Sequence, residues 1–436
     1  MHFSLRPRPA LLAACLLAPG LLTSTTRSQT APPPLRCGTP DAPGIVPDGP
    51  GDCTAARTTP QPQYQPSFVW RVPVVVHVIR STSGAGNVSA TQVQNQIDIL
   101  NEDFRAIAGS RGAPGVDTGI EFFLATTDPQ GRPSTGITTS TNNTWFADRG
   151  SYWTSLAWDP NRYLNIYSNQ AGGALGYVPN LPQSGSIVGR SNDRVVVKWD
   201  TVGRMGPIGP PFNLGRTTTH EVGHYLGLYH TFNGGCGGSN CYTSGDRICD
   251  TQPESGSRFG CPSSRSCSSP DPIHNYMDYT DDSCMWEFTA EQANRMRCTL
   301  EEWRPNLAMR SGAAFVSTRN AGDNPLSYSA TRPVLGGTVT ASVDVASSGH
   351  NTGGLFGFAA PLRTRFRGYV LLVDPSAAPG ELLQLPFQSG PEAQFSLPIP
   401  SLSALSGMTI YTQAAHFGGA AGLVLSNAQD LTIGPQ

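Results

Sequence analysis

Lysine is almost missing from this 436-residue chain. It occurs once, at Lys198, so nearly every cationic side chain is an arginine. Charge of either sign is sparse, with 29 Lys plus Arg against 31 Asp plus Glu and a net charge of −2. A nucleic-acid binder would carry a basic excess or stripe, so no nucleic-acid partner is expected. Charged residues make up only 14% of the chain, too few for a charge-driven disordered protein. Long apolar runs are missing as well. Beyond the first 25 residues none approaches the ~20 needed to cross a bilayer, so no membrane span is expected. Glycine and proline, by contrast, are plentiful at 48 and 38. That suits a loop-rich secreted protein and stays below low-complexity composition. At roughly 100–200 residues per domain, the length predicts two domains behind an N-terminal extension.

The N-terminus reads as a secretory signal peptide over residues 1–30. His2, Arg6 and Arg8 precede an apolar stretch, Ala10–Leu22, and a small or polar stretch follows. A short anchor helix is the alternative, but 13 residues cannot span and Pro19-Gly20 interrupts them. Leu12–Cys15 resembles a lipoprotein box with almost no apolar run before it. Export implies an oxidising compartment in which cysteines pair. Nine cysteines follow the signal, an odd number, so at least one thiol is free or pairs between chains. Seven of them lie between Cys236 and Cys298 and would staple a long irregular region.

Residues 31–65, rich in Pro and Thr, read as a pro-segment or linker. Val72–Ile79 is a β-branched run that predicts a buried strand. Val93, Ile97, Leu100 and Phe104 at helical spacing predict an amphipathic helix over 91–106. Further strands are expected at 163–167 and 195–199, and helices at 217–228 and 289–303, the last capped by Thr289. These elements predict an α/β or α+β domain over 66–306. From 313 to 436, short strand candidates at 339–345, 368–373, 394–397, 408–413 and 422–425 alternate with turn signals. They predict a C-terminal all-β sandwich.

The stretch that carries chemistry is His220-Glu221-Val222-Gly223-His224-Tyr225-Leu226-Gly227-Leu228-Tyr229-His230. His220 and His224, at i and i+4, face one side of a helix and can share one metal. Glu221 beside them can take a proton from metal-bound water. Gly227 lets the chain leave the helix sharply and bring His230 round as third ligand. Three protein ligands leave a fourth position open, the arrangement of a catalytic zinc site. A bare HExxH should occur by chance in about one in twenty chains of this length; adding Gly227 and His230 lowers that by about 400. A core helix that merely carries histidines is the bland alternative. The eleven-residue pattern is the metzincin signature, which also needs a methionine turn downstream. Asn275-Tyr276-Met277-Asp278-Tyr279 supplies one, with Met277 47 residues beyond His230.

On these residues, His220–Phe232, together with Gly245–Thr251 (GDRICDT) and Asp271–Cys284 (DPIHNYMDYTDDSC), the sequence resembles the pappalysin family of metzincin metallopeptidases, its bacterial members in particular. The resemblance covers about 66–305. It implies an α+β metzincin-type catalytic domain, a twisted sheet with the zinc-site helix, and an extracellular zinc endopeptidase acting on proteins or peptides. It implies Tyr279 as the tyrosine that supports the oxyanion. It implies Asp282 at the base of a pocket for Arg or Lys, with cleavage on the amino side of that residue; Asp281 is adjacent. Gly173 and Ala174 resemble the edge strand that binds substrate. Calcium is implied in the loop of Asp246, Asp250, Thr251 and Glu254, whose hard oxygens suit Ca²⁺, though a solvated acidic turn would look the same. The family pattern further implies disulfides Cys261–Cys284 and a bridge from Cys236 or Cys241 to Cys267. A Cys249–Cys298 bond is a guess.

Arg36-Cys37-Gly38-Thr39-Pro40-Asp41 closely resembles the cysteine-switch pro-segment motif of matrix metalloproteinases. Cys37 would occupy the open zinc position, with Arg36 and Asp41 pairing to hold the loop. A Cys37–Cys53 disulfide is the competing expectation. An enzyme that cuts before Arg would find Ala56-Arg57 ahead of the catalytic domain. A cut there would release the Cys37 segment provided Cys53 is not bridged to that domain. Two other functional classes stay open: a zinc-binding but inactive adhesion module, against which intact Glu221 speaks, and a hydrolase of another kind such as an amidase.

Overall fold

The computed structural model describes residues 35–40, 53–65, 69–204, 206–310, 314–320, 322, 324–402, 405, 407–419 and 422–434. The expected signal peptide and Asp41 lie outside them.

The strand expected at 72–79 is β1, Trp70–Arg80. Its valines are buried on both faces, as a strand covered on both sides requires. The helix laid on it, α1, spans Ala90–Phe104 and starts at Ser89, whose side chain and Gln92 form a capping box. Val93, Ile97, Leu100 and Phe104 join Val72, Val74, Val76 and Val78 of β1 in one core. Six further strands build the sheet: β2 (Ile120–Leu124), β3 (Ile137–Thr141), β4 (Leu164–Asn169), β5 (Gly176–Tyr177), β6 (Val195–Lys198), which lies between β4 and β5, and Met309–Arg310, antiparallel to β1. β1 pairs in parallel with β2, β3 and β4, and β4 with β6. β5 runs antiparallel to β6 at the edge. The region is therefore mixed α/β around a mostly parallel sheet. β2 and β3 were not foreseen. Isolated five-residue runs such as Ile137-Thr-Thr-Ser-Thr carry no clear alternation, and they are strands because β1 offers them a partner.

Helix α2, Arg216–Tyr225, carries the histidine motif, and every residue in it is buried. After it the chain runs irregularly to Phe288, interrupted only by a small hairpin at 265–270. Disulfides Cys236–Cys267, Cys241–Cys249 and Cys261–Cys284 staple this stretch. Helix α3, Ala290–Cys298, begins at a Thr289 capping box and continues as a π-helical turn to Trp303. The guessed Cys249–Cys298 bond is wrong. Cys249 meets its near neighbour Cys241, and Cys298 bonds Cys53.

The C-terminal region is a separate, sheet-rich part of the chain. One sheet orders Phe315–Arg319, Val424–Thr432, Thr409–Phe417, Thr352–Phe358 and Leu383–Gln384; the other orders Tyr328–Ala330, Thr338–Asp344 and Glu392–Pro398. Val339, Ala341 and Val343 of one sheet and Leu355, Ala414 and Leu431 of the other share a core. Thr352–Phe358 (TGGLFGF) escaped the sequence reading because three glycines leave no alternating pattern. This region packs on the first through Phe315 against Phe123, Arg363 with Glu102, and Asp98 of α1 accepting the Asn320 N–H.

Candidate active site

Two glycines decide the shape of the histidine site. Gly227 has φ +92°, and a Cβ there would also meet Thr299 and Gln183, so the chain can turn back after α2 only with glycine. Gly223, between the two helix histidines, has Met277 Sδ 2.5 Å from where its Cβ would stand. Met277 is fully buried beneath the motif. Gly223 is thus what lets the methionine turn approach, a constraint not drawn from the motif itself.

The imidazoles are aimed from behind. His220 Nδ1–H donates to the Tyr276 carbonyl at 2.6 Å, and His224 Nδ1–H to the Leu228 carbonyl at 2.8 Å. Those bonds leave each Nε2 lone pair facing forward. His224 Nε2 lies 3.1 Å from His220 Nε2 and 3.0 Å from His230 Nε2. Burial, then the neighbouring imidazoles, hold the His220 and His230 pKa values well below the usual range, and burial holds His224 at about 4. Three neutral nitrogens converging without protons to share form a donor set for a cation, and His₃ fits zinc. The Cys37 Sγ completes the group; these four ligand atoms lie within 4.8 Å of one another. Cys37 is buried and unbridged, so the expected Cys37–Cys53 alternative does not hold. Burial and the Glu221 carboxylate push its thiol well above the ordinary value in the absence of a metal.

Glu221 is fully buried, and burial raises its pKa to about 8. Its Oε2 faces Cys37 Sγ at 3.5 Å and accepts from Thr39 Oγ1 at 3.0 Å. Its Oε1 has no hydrogen-bond partner. Thr39 was missed as a site residue; it also accepts the Val178 N–H and so ties the segment to the wall. The Tyr279 hydroxyl reaches the Cys37 carbonyl oxygen at 3.5 Å, with its ring against His230 and Phe232.

Residues 35–38 lie along the edge of the sheet. Leu35 bridges Ala174 in parallel, Leu175 N–H donates to the Leu35 carbonyl, and Gly38 N–H donates to the Gly176 carbonyl. Ala174 is therefore at this edge. Gly173 is not: it sits in the preceding turn, its N–H on the Gln170 carbonyl.

The expected Arg36–Asp41 pair falls on Asp41, outside the described residues, while Arg36 itself is placed. Arg36, 2% exposed, inserts its guanidinium into a pocket whose floor is Asp282. Nη2 donates to Asp282 Oδ1 at 3.0 Å and Nη1 to Thr217 Oγ1 at 3.1 Å, and the guanidinium carbon lies 4.8 Å from the Phe212 ring centre. Asp282 Oδ2 accepts the N–H groups of Leu214 and Arg216. The ion pair matters because an unpaired buried charge is costly. Asp281 is turned away, bonded to Gly260. Phe212 and Thr217 were not singled out in the sequence, since neither belongs to a motif.

The four oxygens expected for calcium do not converge. Thr251 Oγ1 donates to Asp246 Oδ2 at 2.7 Å, Asp250 accepts the Glu291 N–H, and Glu254 turns to Thr231 and Arg258. Asp246 is buried, and burial raises its pKa to about 7. It lines a cavity of about 120 Å³ with Thr231, Ile248 and Thr251.

Residues 53–65 lie against α3, anchored by Cys53–Cys298. The condition set for release, an unbridged Cys53, is therefore not met, and a cut before Arg57 does not by itself free the Cys37 segment.

A buried three-histidine site with an adjacent carboxylate, a methionine turn beneath it and a sheet edge beside it defines a metzincin-type metallopeptidase. The comparisons agree. The family model described as pregnancy-associated plasma protein-A matches residues 149–301. An extracellular metalloprotease of Sordaria macrospora is 36% identical over 249 residues, 55% of this chain and 77% of that protein. One of Pyricularia oryzae is 38% identical over 239 residues, 52% of this chain and 74% of that protein. Among solved structures, Tannerella forsythia mature mirolysin with a cleaved peptide aligns at 37% identity over 56% of this chain and 96% of that one, with a TM-score of 0.47. The chain belongs to the pappalysin family and is a metalloendopeptidase.

Proposed function

We propose that this is a secreted zinc endopeptidase, made as a latent precursor, that cleaves peptide bonds on the amino side of Arg, and less well Lys. The observation that carries this reading is the fit of residues 35–39 in the cleft: a thiol against three imidazole nitrogens and an arginine in the adjacent pocket. His220, His224 and His230 hold the zinc, which when bound lowers the pKa of a water towards ~7 and polarises a carbonyl. Glu221 takes the proton of the attacking water and passes it to the leaving amine. Tyr279 donates to the oxygen on which negative charge develops. Ala174 to Gly176 hold the substrate backbone by strand addition. A substrate arginine takes the place of Arg36, with Asp282 and Thr217 as acceptors and Phe212 as the stacking face. A lysine reaches Asp282 as a point charge but lacks the fork that also meets Thr217. In the precursor Cys37 excludes water from the metal.

A calcium ion in the stapled loop would centre on Asp246 and Thr251; Asp250 and Glu254 would have to reorient to join it. We read the two C-terminal sheets over 313–436 as a sandwich following a catalytic domain over 66–306. The relatives' names support export.

The deciding experiment is Glu221→Ala. Turnover of an arginine peptide should fall by roughly 10²–10⁴, the usual contribution of a general base. Metal analysis should still find one zinc per chain. Near-normal turnover would end the mechanism. An inactive adhesion module predicts no chelator-sensitive cleavage by the wild type after activation.

A further inference from the structure

The residues between Cys37 and Cys53 are Gly-Thr-Pro-Asp-Ala-Pro-Gly-Ile-Val-Pro-Asp-Gly-Pro-Gly-Asp, without an Arg or a Lys. The first basic residue after Arg36 is Arg57. An enzyme confined to bonds before basic residues can therefore cut itself on the far side of Cys53 but not between the two cysteines. Ala56 and Arg57 are both exposed and fit that cut. Yet Cys53 is bonded to Cys298 at the end of α3. The two cysteines are 4% and 3% exposed, with Tyr64 and Trp303 packed on them. Thr54 and Ala55 dock as well, their carbonyls accepting from Arg295 and Arg247.

We infer that self-cleavage before Arg57 leaves the pro-segment covalently attached, as a tethered and reversible inhibitor, and that full activity needs a second cut between Cys37 and Cys53 by a protease of different specificity. This rests on the latency and the basic-residue specificity proposed above. Hydrolysis of Ala56–Arg57 adds one water, leaves a carboxylate on Ala56 and an amine on Arg57, and does not touch the disulfide. A peptide held on a short linker acts at an effective concentration on the order of mM. Cys37 and Arg36 would thus rebind far faster than a separated peptide at micromolar protein.

The full-length precursor is incubated until reducing gels and N-terminal sequencing show the chain beginning at Arg57. Retention predicts a single species in non-reducing gels and intact mass, heavier by one water. It also predicts turnover at least about tenfold below that of Ile45→Arg, a variant offering a self-cleavable bond between the cysteines with Cys53–Cys298 intact. Cys53→Ser/Cys298→Ser should lose the pro-segment on nicking and match Ile45→Arg. A nicked wild type that sheds the segment without reductant, or equals Ile45→Arg in turnover, overturns the tether. Failure to nick before Arg57 counts instead against the specificity. The tether is then read from a trypsin nick after Arg57, which lies on the same side of Cys53. A Cys37→Ala precursor no more active than the uncut wild type counts against the latency.

Discussion

Asp282 divides its carboxylate between two tasks. Oδ2 holds the backbone N–H groups of Leu214 and Arg216, while Oδ1 meets the Arg36 guanidinium. Removing the side chain would confound specificity with loop collapse, whereas Asp282→Asn keeps an acceptor for the backbone and deletes the charge. Charged hydrogen bonds contribute about 1.5–3 kcal/mol. The expected result is a fall of roughly 10–100-fold in kcat/KM for arginine peptides, with little change for a neutral residue at the same position. Cleavage-site mapping that still returns only basic residues would refute the pocket. Asp282 was singled out in the sequence through the family resemblance carried by Asp271–Cys284. Phe212 and Thr217 were not, because their approach to the same guanidinium is made by two segments far from Asp282 in the chain.

At the scale of elements, α2 and the methionine turn are fitted to one another through Gly223. A methyl group there would stand 2.5 Å from Met277 Sδ, a contact real side chains essentially never make. The thioether can shift, but it is fully buried in the main core, so the shift spreads to its neighbours. Overpacking of this kind costs about 1–3 kcal/mol. Gly223→Ala should lower the melting temperature by several degrees, at roughly 2–4 °C per kcal/mol for a domain of this size. It should also weaken zinc retention in chelator titrations. A variant with unchanged melting and unchanged zinc affinity would show that the turn is not pressed against the helix. Helices α1 and α3 were readable because their starts carry local capping boxes at Ser89 and Thr289. Strands β2 and β3 had no such local sign.

For the whole molecule, the junction between the two regions contains a buried acid. Asp98 on α1 accepts the N–H of Asn320 and the side-chain amide of Gln94, and burial raises its pKa to about 8. An unfolded aspartate titrates near ~3.9. Between those values the folded chain binds more protons than the unfolded one, so this group's contribution to stability falls as pH rises from about 4 to about 8. Asp98→Asn should therefore reduce the loss of melting temperature between pH 5 and pH 8 relative to wild type. Parallel pH profiles for the two proteins would show that Asp98 is not a buried titrating group.

The sequence alone determined the chemistry of the metal end of the site. His220, Glu221, His224, Gly227 and His230 lie within eleven residues, so helical geometry and one turn suffice to bring them together. Tertiary structure decided what reaches that centre from a distance. Arg36 selects Asp282 across 246 positions, and Cys53 finds Cys298 across 245. Neither choice follows from local spacing. A buried guanidinium takes the carboxylate that the folded pocket presents, and a disulfide joins whichever cysteines folding brings to bonding distance.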